Sequence, residues 1–62
     1  MKYYIEARSQ NQICMVGYEN TPTWDKTKAM IFSNSSNARE WTNNTDAMIW
    51  KNQGYKLEVK NV

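Results

Sequence analysis

Apolar and polar residues alternate near the end of the chain, in the pattern of a strand with one solvated face. Residues 55–60 read Tyr-Lys-Leu-Glu-Val-Lys, so every second side chain is apolar and the side chains between them are charged. This period of two predicts a final strand over residues 55–59. A first strand is predicted over 2–8 and a second over 13–18. The polar turn between those two predicts a hairpin.

A helical period follows the apolar segment 29–32, which we interpret as a third strand. Asn34 and Ser35 are residue types that accept hydrogen bonds from the free amides of a first helical turn. Gly54 tolerates the left-handed conformation in which helices often end, so a helix is predicted over 37–54. Its apolar stripe, spaced by three, four, three and one residues, consists of Ala38, Trp41, Thr45, Met48 and Ile49.

The middle of this helix is weak. Residues 42–45 read Thr-Asn-Asn-Thr, and these residue types favour caps and turns over helix interiors. The segment is therefore either one helix or two short ones, with Asn44 or Thr45 capping the second. In a continuous helix Trp50 lies about 120–180° from the apolar stripe and is exposed. If the helix breaks, Trp50 can turn inward and join the core.

The order of elements predicts one α+β domain over residues 1–62. We expect a small, mainly antiparallel sheet of β-β-β-α-β order, with the helix, continuous or broken, packed on one face. The last strand lies either beside the third, through a right-handed crossover, or beside the first. A chain of 62 residues buries only about 60% of its unfolded surface, and its single Cys14 cannot form an intrachain disulfide. Packing or oligomerisation must therefore stabilise it.

The long connection 19–27 contains Trp24, and its place has two interpretations. Trp is highly buried on average, so the side chain either folds back over one end of the core or stands out as an anchor for a partner. Pro22 in the same segment cannot donate to a sheet ladder.

The residues needed for most enzyme chemistry are missing. The chain has no His, which removes the imidazole base, the usual nucleophile pairs and a common metal ligand. Cys14 lies among apolar strand residues and is interpreted as a small buried hydrophobe. Gly17 and Gly54 stand alone, so no phosphate-binding loop is present. We predict a protein that is not an enzyme and has no cofactor and no metal.

The net charge of +2 is mild, with acids and bases interspersed. No apolar run is long enough to span a bilayer and no signal peptide is evident, so we expect a cytoplasmic protein without a membrane partner. Tyr4 and Arg8 on the first strand could form a basic and aromatic face with Lys56 and Lys60, if those strands are adjacent. Acidic neighbours on the same faces favour a solvated face of mixed charge, so nucleic-acid binding is the alternative function.

Several positions in the last 40 residues form one pattern, which consists of Trp24, residues 28–32, Ala38, Trp41 and residues 55–59. This pattern resembles that of short phage- or prophage-encoded early proteins. In such proteins a strand ending in Phe leads into a helix with an early Ala, and the chain closes on a strand of the Tyr-Lys-Leu type. The resemblance implies a protein that binds and inhibits, or redirects, a host or defence protein in the host cytoplasm.

Our expectation is therefore a non-enzymatic protein-binding module that acts by occupying a partner's surface. Exposed aromatic residues make apolar contacts in such a surface, and cations form its rim. A homodimer through an exposed strand edge or through the open sheet face is a further expectation. The predicted contact residues are Trp24, Trp50, Tyr4, Tyr18, Arg8, Lys26 and Lys28.

Overall fold

The alternating segments at the two ends of the chain are neighbouring strands of one sheet in the computed structural model, which describes all 62 residues. The fold is α+β, as the order of elements predicted. A single 3-10 turn, Tyr18–Asn20, follows the second strand. The strands are β1 (Tyr3–Arg8), β2 (Ile13–Val16), β3 (Pro22–Thr23) and β4 (Lys56–Asn61), and the helices are α1 (Ser35–Trp41) and α2 (Thr45–Asn52).

The sheet has the order β3-β2-β1-β4, and each neighbouring pair is antiparallel. The predicted hairpin of β1 and β2 is confirmed. β4 lies beside β1, with Val59 opposite Ile5 and Leu57 opposite Ala7. The last strand is therefore the neighbour of the first, and the parallel crossover does not occur.

The prediction of a third strand over residues 29–32 is wrong. This segment makes only two isolated bridges, Phe32 with Tyr3 and Ala29 with Gly17. The start of β1 and the end of β2 do not pair with each other. The segment makes two backbone hydrogen bonds with Tyr3 in β1 and one with Val16 in β2. Because it runs beside neither strand for long, it forms no strand of its own. The observed β3 lies instead in the connection that was predicted to be irregular.

The helical segment is broken, which confirms the alternative of two short helices. The side chain of Asn34 accepts a hydrogen bond from the Asn37 amide at 2.8 Å, and that of Asn44 accepts one from the Ala47 amide at 2.9 Å. Each helix therefore has its own Asn cap. Thr42 ends the first helix, and its hydroxyl donates to the Arg39 carbonyl at 2.6 Å.

The break changes which side chains of α2 face the sheet. Ala47 and Trp50 are buried, whereas Met48 and Ile49 are each about half exposed. The second half of the predicted apolar stripe is therefore wrong, because α2 has its own orientation and does not continue the face of α1. The core lies between the helices and one face of the sheet, and its buried members are Ile5, Ala7, Cys14, Val16, Ala38 and Trp50.

The turn after β2 holds Trp50 in place. Asn20 accepts a hydrogen bond from the Trp50 indole N–H at 2.5 Å, and its amide donates to the Asp46 carbonyl at 3.4 Å. Gly17 precedes the turn, where a Cβ would lie only 3.1 Å from the Thr21 carbonyl oxygen. Glu19 and Asn20 both have left-handed backbone, with φ of 66° and 60°. Asn tolerates this conformation well, but Glu does not.

Replacement of Glu19 by Gly is therefore expected to stabilise the protein by up to about 1 kcal/mol, since Gly adopts a positive φ without steric cost. Urea unfolding followed by circular dichroism measures the change. Thr21→Gly is the control and should destabilise the protein. Thr21 is extended (φ −114°), so Gly there adds freedom to the unfolded chain, and it also removes the hydrogen bond from the Thr21 hydroxyl to the Tyr18 carbonyl. Equal destabilisation by both variants would contradict the strained turn.

Candidate functional site: the open face of the sheet

The two helices cover one face of the sheet and leave the other uncovered. In β1, β2 and β4 the side chains alternate, so the residues between the core positions point to this second face. We call it the open face. Two loop residues, Trp24 and Lys26, lie against it. The strand residues of the open face are Tyr4, Glu6, Arg8, Ile13, Met15, Lys56, Glu58 and Lys60.

The side of the open face near β4 carries alternating charges. Glu6 and Glu58 are opposite each other, and each is paired within its own strand. Arg8 lies 3.3 Å from Glu6, and Lys60 lies 3.1 Å from Glu58. The hydrogen bond and charge of Lys60 lower the pKa of Glu58, and Glu58 in turn raises the pKa of Lys60. This half of the face is therefore a solvated array of mixed charge.

The side of the open face near β2 is apolar, and Trp24 dominates it. Trp24 is 64% exposed, and its indole N–H donates to the Ile13 carbonyl at 2.8 Å. The alternative in which Trp24 caps the core is therefore wrong. The hydrogen bond fixes the polar edge of the indole to β2 while the rest of the ring remains in contact with solvent.

A hollow of about 210 Å³ lies beside the Trp24 ring. Tyr4 and Met15 form part of its wall, and the Lys26 ammonium lies 5.9 Å from the centre of the Tyr4 ring. A cation at this distance is attracted by the ring, which brings the loop and β1 together. The hollow is thus lined mainly by apolar side chains, with the charged residues Lys26 and Glu6 also in its wall.

An open cleft of about 780 Å³ lies on the other side of Trp24, and Tyr18, Asp25 and Lys28 contribute to its wall. The Asp25 carboxylate accepts hydrogen bonds from the hydroxyl of Thr27 at 2.7 Å and from its amide at 2.9 Å. These bonds, and the nearby charge of Lys28, lower the pKa of Asp25. The local turn therefore orders the segment that carries Trp24.

The structure brings most of the predicted contact residues together. Tyr4, Arg8, Trp24 and Lys26 lie on the open face. Tyr18 and Lys28 line the adjoining cleft, where the Tyr18 hydroxyl accepts a hydrogen bond from the Ile31 amide at 3.3 Å.

Trp50 does not belong to this surface. It is only 6% exposed and lies on the opposite side of the sheet, so its assignment as a contact residue is corrected. The cause is the break at Asn44, which turns the α2 face bearing Trp50 towards the core. Sequence reasoning also missed Ile13 and Met15 as surface residues. Their alternation with the buried Cys14 and Val16 was the available signal.

The ionisable groups outside the open face form no reactive cluster. Burial raises the pKa of the Cys14 thiol, which faces the core and stays protonated at neutral pH. No group of three or more His, Cys, Asp and Glu side chains is placed to hold a metal ion. Neither helix has the length and apolar character needed to cross a membrane.

These features define the chain as a small α+β domain with one uncovered, partly apolar sheet face. Comparison with protein-family models, with curated proteins and with solved structures finds no match. The residues of the open face are therefore the basis for inferring a function.

Proposed function

We propose that this protein is a non-enzymatic protein-binding module whose contact surface is the open face. The observation that carries the proposal is Trp24, a large aromatic side chain that is exposed yet held in one position by its bond to Ile13. A fixed ring loses little conformational freedom on binding, and Trp is among the residues most enriched at binding hot spots.

The surroundings of Trp24 support the same function. Ile13 is about half exposed beside it, and the hollow next to the ring offers space for an apolar side chain of a partner. Lys26 and Arg8 stand at the margin, so a partner with acidic groups around an apolar centre has the complementary chemistry. An apolar centre with a charged rim is typical of protein contact surfaces.

The resemblance to phage early proteins supports a more specific form of this proposal. In this form the protein is a phage or mobile-element inhibitor that acts in the host cytoplasm. It blocks a host or defence protein by occupying a surface that the target needs. Inhibition of this kind requires no catalytic group in the inhibitor, since a complementary face is enough.

Nucleic-acid binding is a second candidate, and one observation favours it. Because β4 lies beside β1, Lys60 is opposite Tyr4 and Lys56 is opposite Arg8. These four residues form a basic and aromatic group on one face. Glu6 and Glu58 lie between the two pairs, however, and they neutralise part of that charge.

The two candidates predict different responses to salt and to substitution. Phosphate contacts make affinity fall steeply with salt, so Lys56→Ala and Lys60→Ala would each flatten the salt dependence of any nucleic-acid affinity. For a protein partner bound through Trp24, we expect both variants to bind within about threefold of wild type, since rim charges contribute little affinity. Fluorescence anisotropy over a range of salt concentrations measures both.

An affinity pull-down from a bacterial lysate, with and without nuclease, tests the proposed function. We expect a stoichiometric protein that survives nuclease treatment and that is lost with Trp24→Ala. Ile49→Ala is the matched control, because Ile49 is an exposed apolar residue on the helical side of the sheet. Recovery that disappears with nuclease would favour nucleic acid, and capture independent of Trp24 would contradict the assigned surface.

A further inference from the structure

The two edges of the sheet differ in length and composition. One edge is β3, which has only two residues and begins with Pro22. Short strands and Pro are common devices that prevent further strand addition. The other edge is β4, which has six residues, pairs with β1 along its whole length and contains no Pro. Only β4 is therefore suited to pairing with another strand.

The hydrogen bonds of β4 show which of its backbone groups are free. The Val62 amide donates to the Lys2 carbonyl at 2.9 Å, so this pair is a bonded one. Hydrogen-bonded and non-bonded pairs alternate in an antiparallel ladder. The backbone N–H and C=O groups of Lys60 and Glu58 therefore point to β1 as well. Tyr3 agrees with this pattern, since it exchanges both its bonds with Phe32, away from β4. The odd-numbered residues of β4 therefore point their N–H and C=O groups outward.

A second copy of the chain fits this edge in one register. The outward groups belong to Leu57, Val59 and Asn61. An antiparallel pair with Val59 on the two-fold axis satisfies all of them, because Val59 pairs with itself and Leu57 pairs with Asn61. All outward N–H and C=O groups of β4 are then hydrogen-bonded.

The charges of β4 agree with this register. With Val59 on the axis, Glu58 of each copy lies opposite Lys60 of the other. A shift that places Glu58 on the axis would set Glu58 against itself and Lys56 against Lys60. Opposite charges across a strand pair stabilise it and like charges destabilise it. Lys60 and Glu58 are also in contact within each strand, so the pairing creates an alternating set of four charges.

We propose that the protein forms a symmetric homodimer through β4, with Val59 on the two-fold axis, giving a continuous eight-stranded sheet. The outward main-chain groups determine the register, and the opposite charges across the strand pair support it. This interface is separate from the open-face contacts around Trp24, which lie towards the opposite edge of the sheet. The dimer does not depend on the proposed function, so either proposal can fail without affecting the other.

Charge exchange at positions 58 and 60 tests the dimer. Glu58→Lys creates like-charge contacts across the axis, and so does Lys60→Glu, so each variant alone should dimerise about tenfold more weakly. An equimolar mixture of the two variants restores opposite charges at both contacts and should dimerise like wild type. Sedimentation equilibrium at low ionic strength measures all three, because exposed ion pairs are screened by salt.

Two further variants distinguish the edge from other surfaces. Asn61→Pro removes an outward N–H that the monomer does not use, so we expect a folded chain with weakened self-association. Lys60→Pro is its control, because it removes an N–H directed at β1 and should lower the melting temperature. Trp24→Ala should leave self-association unchanged.

Three results would overturn the dimer. The first is a wild-type protein that remains monomeric up to about 1 mM, where even weak association is detected. The second is equal self-association of wild type and both charge variants, which would place the contact elsewhere. The third is loss of self-association with Trp24→Ala, which would assign it to the open face.

Discussion

Replacement of Trp50 by alanine is expected to destabilise the protein by about 3–5 kcal/mol, the usual cost of deleting a large buried aromatic side chain. Small domains have few kcal/mol of stability to lose, so the variant should be largely unfolded at room temperature. Chemical unfolding monitored by circular dichroism measures the effect.

The size of this effect follows from the composition of the core. Its largest fully buried side chains are only Ile5 and Val16, and four of the other buried residues are alanines. Trp50 is thus the largest of the buried side chains in the core. Its ring also packs edge-on against Tyr55, with centroids 5.0 Å apart and planes at 78°.

Two control variants separate the parts of the Trp50 effect. Trp50→Phe keeps an aromatic ring but loses the indole N–H bonded to Asn20, so it should cost less than the alanine variant, about 1–3 kcal/mol. Ile49→Ala changes the neighbouring, half-exposed residue and should cost less than about 1 kcal/mol. A Trp50→Ala protein with wild-type stability would contradict the inward orientation of α2.

Replacement of Trp24 by alanine should weaken partner binding strongly and change stability little, in contrast to Trp50→Ala. We expect the affinity for a protein partner to fall at least about 30-fold, the loss typical of a hot-spot residue. The free energy of unfolding should change by less than about 1 kcal/mol, because Trp24 is mostly exposed and makes a single hydrogen bond to Ile13. Isothermal titration calorimetry and thermal unfolding of the same samples measure the two quantities.

Lys26→Gln is a useful companion to the Trp24 variant. It removes the cation near the Tyr4 ring but leaves the apolar surface of Trp24 in place. Its effect on affinity should be smaller, about threefold, and should diminish with added salt. A Trp24→Ala variant that binds as tightly as wild type would exclude the open face as the contact surface.

Local signals in the sequence were sufficient for much of the fold. Alternation predicted β1, β2 and β4, because a strand with one buried face imposes a period of two on its residues. Asn34 and Ser35 indicated the start of the first helix. The polar run at 42–45 raised the break as one of two alternatives, with Asn44 or Thr45 as the cap of the second helix. Each of these features depends on residues that are neighbours in the chain.

The features that were missed depend on contacts between distant residues. Residues 29–32 have strand-like composition, but they bond in turn to Tyr3 and to the end of β2, which no local pattern shows. The orientation of Trp50 depends on the break and on Asn20, which lies 30 residues earlier. Trp24 is exposed because its indole bonds to the β2 backbone. The spacing of residues in the sequence does not predict this hydrogen bond or the exposure of Trp24.

Nuclear magnetic resonance of the indole N–H groups tests the central claim most directly. The chain has three Trp residues, so a ¹⁵N-labelled sample gives three indole signals, which Trp→Phe variants assign. When the captured partner is added, the open-face account predicts that the Trp24 signal shifts or broadens while the Trp50 signal stays in place. An unchanged Trp24 signal, with shifts confined to the helices, would contradict it.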